Sequence, residues 1–218
     1  GVGTLKVSMG TVFGNRYVVP LLGEFLKRFP DINPDWHFDN RQVDLIGQGF
    51  DAAIGGGFEL PQGVVARKLA PAHRILLASP EYLAKRKPVL APEDLSLCNG
   101  ILIRSPQTGR VRSWQLTHRS REQRPLVLKP RMTMSDSGAA CCASAQGLGI
   151  ALVSMPMAVP YLDSGQLVRV LPDWYVDDGN ISLYYAEHKL LPGKTRAFVD
   201  FILEQFVERE LGRRFSAI

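Results

Sequence analysis

Small hydroxyl residues and glycines stand at five points where a predicted strand ends and the chain turns towards a helix. The free N–H groups and partial positive charge of a helix amino terminus suit carboxylates and other anions. In open parallel sheets, ligands bind beyond the carboxyl ends of the strands. Each point alone is typical of a helix cap or a turn, but together they predict a site for a small molecule. The five points are Ser8-Met9-Gly10-Thr11, Gly55-Gly56-Gly57, Arg104-Ser105-Pro106, Ser135-Asp136-Ser137 and Ser154.

Catalytic and metal-binding patterns are missing from the sequence. It contains no H-E-x-x-H, no G-x-S-x-G and neither of the glycine-rich nucleotide-binding motifs. Asp39, Asp44 and Asp51 fit a strand end, a first helical turn and a strand start better than a set of metal ligands. The four histidines are scattered, at His37, His73, His118 and His188. We therefore expect a binding protein and not an enzyme, without a metal ion or a cofactor.

The excess positive charge is concentrated in one segment. The chain has 218 residues, and Lys and Arg exceed Asp and Glu by 26 to 21. Between Arg104 and Arg131 there are eight basic residues and one acidic residue, Glu122. Such a patch on a nearly neutral body favours a solvated face or an anion site over a general nucleic-acid binder.

Composition narrows the class of protein further. The hydrophobic share of 45% and charged share of 22% are globular values and exclude a disordered or fibrous chain. No apolar run approaches the roughly 18 residues of a membrane-spanning helix. The odd count of three cysteines, with Cys141 and Cys142 adjacent, argues against a disulfide framework or a zinc site and favours a reducing compartment.

The elements that must position these residues form two series of strands and helices. In the first series, alternation and helical spacing predict β-α-β-α-β, the pattern of a parallel sheet with helices on its faces. Pro20 should lie near the start of the first helix, since deeper inside it would remove a backbone hydrogen bond. The predicted elements are a strand Thr4–Met9, a helix Val18–Phe29, a strand Trp36–Phe38, a short helix Val43–Gln48 and a strand Asp51–Ile54.

The second series begins with a strand over Arg74–Ser79. A closing amphipathic helix carries Phe198 and Phe206 and should end near Gly212. Two series in this length predict two lobes of roughly 100 residues that close on a small molecule. Between the strand Arg74–Ser79 and the closing helix, the sequence predicts six further strands and two helices. The strands are Ile101–Arg104, Trp114–Leu116, Val127–Met134, Leu148–Val153, Gln166–Leu171 and Ile181–Ala186, and the helices are Ser137–Gln146 and Met155–Leu162.

Several motifs resemble those of LysR-type transcriptional regulators. The runs Asp39–Ile46 and Gly49–Ile54 are similar to the family signature D-x-R-x-V-D-L-I followed by G-F-D-x-A-I. Ala78–Leu83 matches A-S-P-x-Y-L, and Pro20–Leu26 matches P-L-L-x-x-F. Eight such motifs follow in the family's order over essentially the whole chain.

This resemblance implies a two-lobed, periplasmic-binding-protein-like (type 2) α/β fold, in which each lobe is a mixed, mostly parallel sheet flanked by helices. Residues 1–75 and 175–218 would form the first lobe and residues 76–174 the second. The hinge would lie near Arg74–Ser79 and Val168–Trp174. The family's winged helix-turn-helix, which contacts DNA, would precede Gly1 and is absent from this chain.

The resemblance also implies a function. The chain would be the effector-sensing and oligomerisation domain of a cytoplasmic regulator, and its effector a small aromatic or carboxylic metabolite. It would form a homodimer or homotetramer through the helices Val18–Phe29 and Ser137–Gln146, without contacting a membrane. The effector would contact Ser8, Met9, Gly10, Thr11, Gly55, Gly56, Arg104, Ser105, Ser135, Asp136, Ser137, Val153 and Ser154.

One departure from the family pattern affects this site. The family commonly has A-I-R-x-G where this chain has Ala53-Ile54-Gly55-Gly56-Gly57. We hypothesise that Arg104 supplies the missing cation. Two other functions remain open: a secreted solute-binding receptor of a transporter with the same fold, and an enzyme on this scaffold, for which a reactive constellation would be needed.

Overall fold

Strand β1 (Gly3–Met9) organises the sheet of the first unit of the chain. Its residues Leu5, Val7 and Met9 are buried, and it runs parallel to β2 (Ile32–Phe38) and β3 (Ala52–Gly56). β2 is longer than predicted and contains Pro34, which an edge strand tolerates because no N–H is needed on its open side. Because the three strands are parallel, their carboxyl ends meet at one edge.

The computed structural model describes residues 2–218, which divide into two units. The first comprises residues 2–71 and Gly179–Arg214, and the second Ala72–Asp178 and Phe215–Ile218. Two long strands, β4 (Val64–Ala78) and β11 (Trp174–Ala186), carry the chain from one unit to the other. The first crossing, after residue 71, lies four residues before the predicted lobe boundary at residue 75. The second, after Asp178, lies four residues after the predicted boundary at residue 174. A third crossing, after Arg214, returns the last four residues to the second unit.

Pro20 lies near the start of a helix, as predicted, but the helical segment that contains it begins earlier than Val18. Helical conformation already begins at Thr11, where the side-chain Oδ1 of Asn40 accepts the N–H of Thr11 at 3.0 Å. A short α1 (Thr11–Phe13) leads through a π-helical turn (Gly14–Val18) and a 3-10 turn (Val19–Leu21) into α2 (Leu22–Arg28). Pro20 lies in the 3-10 turn, where the backbone bonding pattern changes and no regular α-helical ladder is interrupted.

The predicted helix over Val43–Gln48 is a turn. The Asp44 carboxylate accepts the N–H of Gly47 at 3.1 Å, and the Gln48 side-chain oxygen accepts the N–H of Asp44 at 3.1 Å. The Asp44 side chain thus takes the N–H of Gly47, which a helix beginning at Val43 would bond to a backbone carbonyl, as Asp often does in turns. The turn ends at Gly49, whose φ of +69° suits glycine.

The closing helix packs against the first unit through aromatic rings. Helix α6 (Gly193–Glu208) places Phe198 and Phe201 with ring centres 5.8 and 5.2 Å from that of Phe25 on α2. The helix ends at Glu208 and not near Gly212 as predicted, because Glu210 adopts a φ of +53° and interrupts it. A separate short helix, α7 (Leu211–Arg214), contains Gly212.

The second unit is a mixed sheet with helices. Strand β9 (Ile150–Ser154) is antiparallel to β4 and parallel to β5 (Asn99–Ile103), which is parallel to β8 (Lys129–Met134). A hairpin of β6 (Gln115–His118) and β7 (Gln123–Pro125) joins β11, and β10 (Val168–Val170) joins β4. The helices are α3 (Pro80–Ala84), α4 (Ser137–Ala145) and α5 (Met155–Ser164), with a 3-10 helix at Pro92–Leu97.

The core of the second unit lies on the inner faces of these strands. Leu76, Ile150 and Leu116 are fully buried there, together with Leu95 of the 3-10 helix. The apolar run that predicted a buried strand over Leu148–Val153 corresponds to β9, and the helix predicted over Ser137–Gln146 corresponds to α4. The predicted class, α/β with mixed sheets flanked by helices, is therefore confirmed.

Candidate functional site

A cavity of about 360 Å³ lies within the second unit at the carboxyl end of β5. Since β5, β8 and β9 are parallel, their carboxyl ends meet here, where ligands of α/β sheets commonly bind. The wall is largely apolar. The apolar side chains include Ile101, Ile103, Val111, Trp114, Leu126, Leu128 and Leu152, and the polar ones are Arg74, Arg104, Ser105, Arg112, Ser113 and Ser137.

Two of the arginines stack on one indole ring. The guanidinium carbons of Arg74 and Arg112 lie 4.8 and 3.9 Å from the ring centre of Trp114. Cations at this distance are attracted to the electron-rich face of the ring. Arg74 comes from β4 and Arg112 from the loop after β5, so the stack fixes the loop to the sheet.

A single carboxylate joins the same two arginines. Asp178 lies 3.5 Å from Nε of Arg74 and 3.2 Å from Nη2 of Arg112, and its side chain is only 12% exposed. Burial lowers the pKa of Arg74, and the nearby Asp178 charge opposes that effect. Arg104 is exposed and has no ion pair among residues 2–218. Three guanidinium groups therefore line the cavity, while Asp178, which pairs with two of them, does not line it, so the charge of the wall favours an anion.

The loop that carries Arg104 and Arg112 is held by its own hydrogen bonds. The Ser105 hydroxyl accepts the N–H groups of Gln107 and Thr108 at 3.2 and 3.3 Å. The N–H of Arg104 donates to the carbonyl of Met134 at 2.7 Å, which ties the loop to the end of β8. These bonds hold the loop at the carboxyl ends of β5 and β8.

The other predicted effector contacts of the second unit, Ser135, Asp136, Val153 and Ser154, differ in their burial and in their hydrogen-bond partners. The Asp136 carboxylate caps α4 by accepting the N–H of Ala139 at 2.7 Å, and Ser135 before it is exposed. Val153 is fully buried in the sheet, whereas Ser154 is half-buried and lies beside Arg74 in the ladder between β9 and β4. Of all the predicted contacts in the second unit, the structure brings Arg104, Ser105 and Ser137 into one cavity.

The predicted residues of the first unit lie at the carboxyl ends of β1 and β3. Ser8 and Met9 are buried, whereas Thr11 at the helix start is exposed. Gly10 is half-buried, and a Cβ there would lie 3.2 Å from Oδ1 of Asn40. Because Met9 is opposite Ile54 in the sheet, this group is next to Gly55 and Gly56.

Gly55, where the LysR resemblance leads us to expect an arginine, has a structural partner. A Cβ at Gly55 would meet the ring of Phe58, which stacks on Tyr184 with ring centres 5.7 Å apart. The space beside residue 55 is thus occupied by an aromatic ring, and an arginine there would displace it.

Sequence reasoning missed Arg74, Arg112, Trp114 and Asp178 as site residues. Arg112 belongs to the basic segment between Arg104 and Arg131. The high number of arginines in that segment was the only sequence feature that pointed to Arg112 as a site residue. Arg74 and Asp178 lie on strands far apart in the sequence and meet only in the folded sheet.

A larger hollow of about 610 Å³ lies at the opposite end of β5, around Tyr82 and Arg86. Its wall includes Glu81 and Asp94 among the basic side chains, and none of the predicted effector residues line it.

Within residues 2–218 no cluster of three His, Cys, Asp or Glu side chains is arranged to hold a metal ion. Nor does any helix in that range have the length and apolarity to cross a membrane.

Comparison with known families gives a match over nearly the whole chain. Residues 1–207 match the family model described as the LysR substrate binding domain. The chain belongs to this family. Its two-unit α/β architecture is the periplasmic-binding-protein-like (type 2) fold of LysR regulatory domains.

Curated relatives of this chain are named transcriptional regulators. An HTH-type transcriptional regulator of Xanthomonas campestris pv. campestris is 32% identical over 203 residues, which cover 92% of this chain and 59% of the relative. HTH-type transcriptional regulator PtxR of Pseudomonas aeruginosa is 28% identical, with 93% and 64% covered. The chain therefore spans less than two thirds of the length of these relatives.

Solved structures agree with this assignment. The full-length Vibrio cholerae virulence activator AphB is 27% identical with a TM-score of 0.78, and the match covers 94% of this chain and 68% of AphB. The effector domain of AmpR from Pseudomonas aeruginosa has a TM-score of 0.73 at 25% identity, with 98% and 99% covered. The predicted LysR resemblance is confirmed, and the alternative of a transporter receptor is not favoured.

Proposed function

We propose that this chain senses a small-molecule effector for a cytoplasmic DNA-binding transcriptional regulator. The whole protein would contact DNA through a winged helix-turn-helix that precedes residue 1, and the effector would be bound without being chemically changed. The names of the relatives and the share of their length that this chain spans support the proposal. Effector binding favours one arrangement of the domain and so changes how the attached DNA-binding parts are presented.

The cationic cavity of the second unit is the observation that carries this proposal. It combines apolar walls with Arg104, Ser105 and Ser137, which were predicted from the sequence as effector contacts. Pockets of this kind, mostly apolar with a few convergent polar groups, are the usual sites of small molecules. We propose that the effector contacts in this cavity come from Arg104, Ser105 and Ser137, supplemented by Arg112 and Trp114.

A selection experiment with the whole protein tests the regulatory function. The protein is incubated with a pool of random duplex DNA, and bound sequences are amplified and read over several rounds. We expect a defined DNA motif to be enriched by the whole protein and not by residues 1–218 alone. Failure of the whole protein to enrich any motif would contradict the proposal.

Self-association is the second part of the proposed function. We propose that α2 of one chain packs against α4 of another, and the exposed Cys142 on α4 lies on that surface. Cys142→Glu should convert the dimer to a monomer in sedimentation-velocity runs, because a charge would be buried in the interface. Val207→Glu is the matched control, since Val207 is 78% exposed on α6, outside both helices. Equal sedimentation of the two variants would exclude this interface.

A further inference from the structure

His73 holds the backbone of the tail, the segment Phe215–Ile218, in the second unit. Its Nδ1 accepts the N–H of Ala217 at 2.9 Å. The His73 side chain is buried on β4, and its ring lies beside that of Tyr175 on β11, with ring centres 4.7 Å apart. A ring nitrogen that accepts a hydrogen bond carries no proton, so this contact requires the neutral form of the ring, with its proton on Nε2.

Protonation of His73 reverses the polarity of this contact. Histidinium donates from both ring nitrogens, so its Nδ1–H would face the N–H of Ala217 across 2.9 Å. Neither group can accept a hydrogen bond, and a buried donor without an acceptor is unfavourable. The Ala217 N–H must therefore leave the ring before Nδ1 can take up a proton.

A neighbouring cation strengthens this effect. Arg169 on β10 donates to the carbonyl of Ala217 at 2.7 Å, so His73 and Arg169 bind the N–H and the carbonyl of the same residue. Burial lowers the pKa of Arg169 to about 10, which keeps the guanidinium charged at neutral and acid pH. A histidinium beside it would bring a second positive charge to the same residue of the tail.

The other ionisable groups on the surrounding elements do not offset this repulsion. The carboxylate of Asp173 is 62% exposed and pairs with Arg119, that of Asp178 pairs with Arg74, and Asp177 is exposed. Strand β9, which pairs with β4, has no ionisable side chain. The complete set in the second-unit parts of β4 and β11, on β6, around β10 and just before the tail is Arg74, His118, Arg119, Asp173, Tyr175, Asp177, Asp178, Arg213 and Arg214.

Phe215 limits how much of the tail can detach. Its ring is fully buried, and burial of a phenylalanine stabilises a segment more than one backbone hydrogen bond does. Arg169 also donates to the carbonyl of Trp174 at 3.1 Å, so it keeps a partner when Ala217 leaves. Protonation of one histidine should therefore free Ser216–Ile218 and leave Phe215 in place.

We propose that His73 is a pH-sensitive anchor that binds Ser216–Ile218 at neutral pH and releases them in acid. An unperturbed histidine titrates near about pH 6.5. Because the bound form needs an unprotonated Nδ1, anchoring is fully favourable above that pH and weakens as the pH falls below it. Each further pH unit favours release by about tenfold. The anchor is separate from the cavity of the second unit and does not depend on an effector.

Hydrogen exchange of the Ala217 amide in residues 1–218, measured by NMR at pH 7.5 and 5.0, tests the proposal. Protection is expressed relative to an unstructured chain at the same pH, so that the intrinsic pH dependence cancels. It should fall by about thirtyfold, because roughly 1.5 pH units of the range lie below 6.5. The amide of Arg214, which donates to the Glu210 carbonyl at 2.9 Å on α7, is the internal reference and should change by less than about threefold.

The protonation state of the ring gives an independent measurement. Long-range proton–nitrogen NMR correlation at pH 7.5 should show an unprotonated Nδ1 and a protonated Nε2 for His73. A proton on Nδ1 at that pH, or Ala217 protection that does not change with pH, would overturn the proposal. An equal loss of protection at Arg214 would also contradict it, because the chain would then be unfolding generally in acid.

Substitutions at His73 separate titration from packing. His73→Asn places an amide oxygen close to the position of Nδ1 and cannot titrate, so Ala217 should stay protected at both pH values. His73→Leu has no acceptor, so Ala217 should exchange rapidly at both. His188→Asn is the matched control, since His188 is exposed on the loop after β11, and it should keep the full pH effect. If His73→Asn loses Ala217 protection in acid as the unaltered chain does, another group is responsible and the proposal is wrong.

Discussion

Gly55→Arg should destabilise this chain. A Cβ at residue 55 would overlap the ring of Phe58, so the ring must leave its stack on Tyr184. Loss of such an aromatic pair costs about 0.5–1.5 kcal/mol, and forcing extra atoms into a packed region costs about 1–3 kcal/mol. We therefore expect the free energy of unfolding to fall by roughly 2–3 kcal/mol.

A double-mutant cycle shows whether Phe58 is the cause. Phe58→Ala alone should cost about 2 kcal/mol, less than for a fully buried phenylalanine because Phe58 is half-buried. In that background Gly55→Arg should add little, which gives a coupling energy of about 2–3 kcal/mol between the two sites. The assay is urea unfolding of the four proteins followed by far-ultraviolet circular dichroism.

The control for this cycle is Gly212→Arg. A Cβ at Gly212 on α7 would stand 3.6 Å from the carbonyl of Leu69, an ordinary contact, so this change should shift stability by no more than about 0.5 kcal/mol. Additivity of Gly55→Arg and Phe58→Ala within about 0.5 kcal/mol would refute the reasoning, because the ring would then not be the obstacle.

Three further changes test the local structure. Asn40→Ala removes the acceptor for the Thr11 N–H and should lower stability by about 1 kcal/mol in urea unfolding, whereas Asn40→Asp should not. Hydrogen bonds from Arg41 hold the pKa of Asp39 below its usual 3.8, so their stabilising effect is present above pH 3.8 and is lost as the pH falls through the lowered value. Carbon-detected NMR titration should show that lowered pKa, and Arg41→Gln should return it towards 3.8. Phe215→Ala, at a fully buried ring, should cost about 3–5 kcal/mol by thermal or urea unfolding, and a cost below about 1 kcal/mol would contradict its burial.

Strands could be predicted where their burial requires a recognisable pattern of apolar residues in the sequence. The alternation of Leu5, Val7 and Met9 and the apolar run of β9 each indicated a strand that the structure contains. The turn at Asp44 was not predictable from spacing, because side-chain hydrogen bonds to the backbone competed successfully with a helical pattern. The spacing of apolar residues does not show whether a helix or a turn held by side-chain hydrogen bonds is the more stable.

The site was predictable only in part for a related reason. Arg104 and Ser137 follow predicted strands directly, so the rule about strand carboxyl ends located them. Asp178 lies inside a strand, β11, and is significant only because folding brings it to Arg112. The remaining predicted contacts, such as Val153 and Gly56, stay predictions.

The carboxyl terminus returns to the second unit, whereas the amino terminus belongs to the first. Phe215 is fully buried there, and the N–H of Ala217 donates to Nδ1 of His73 at 2.9 Å. Arg169 donates to the carbonyl of Ala217 at 2.7 Å, so the tail is anchored at both β4 and β10. The side chains of Val2 and Ile218 are 75% and 55% exposed. Fluorophores coupled at these two positions would therefore each label a different unit, without any further labelling site.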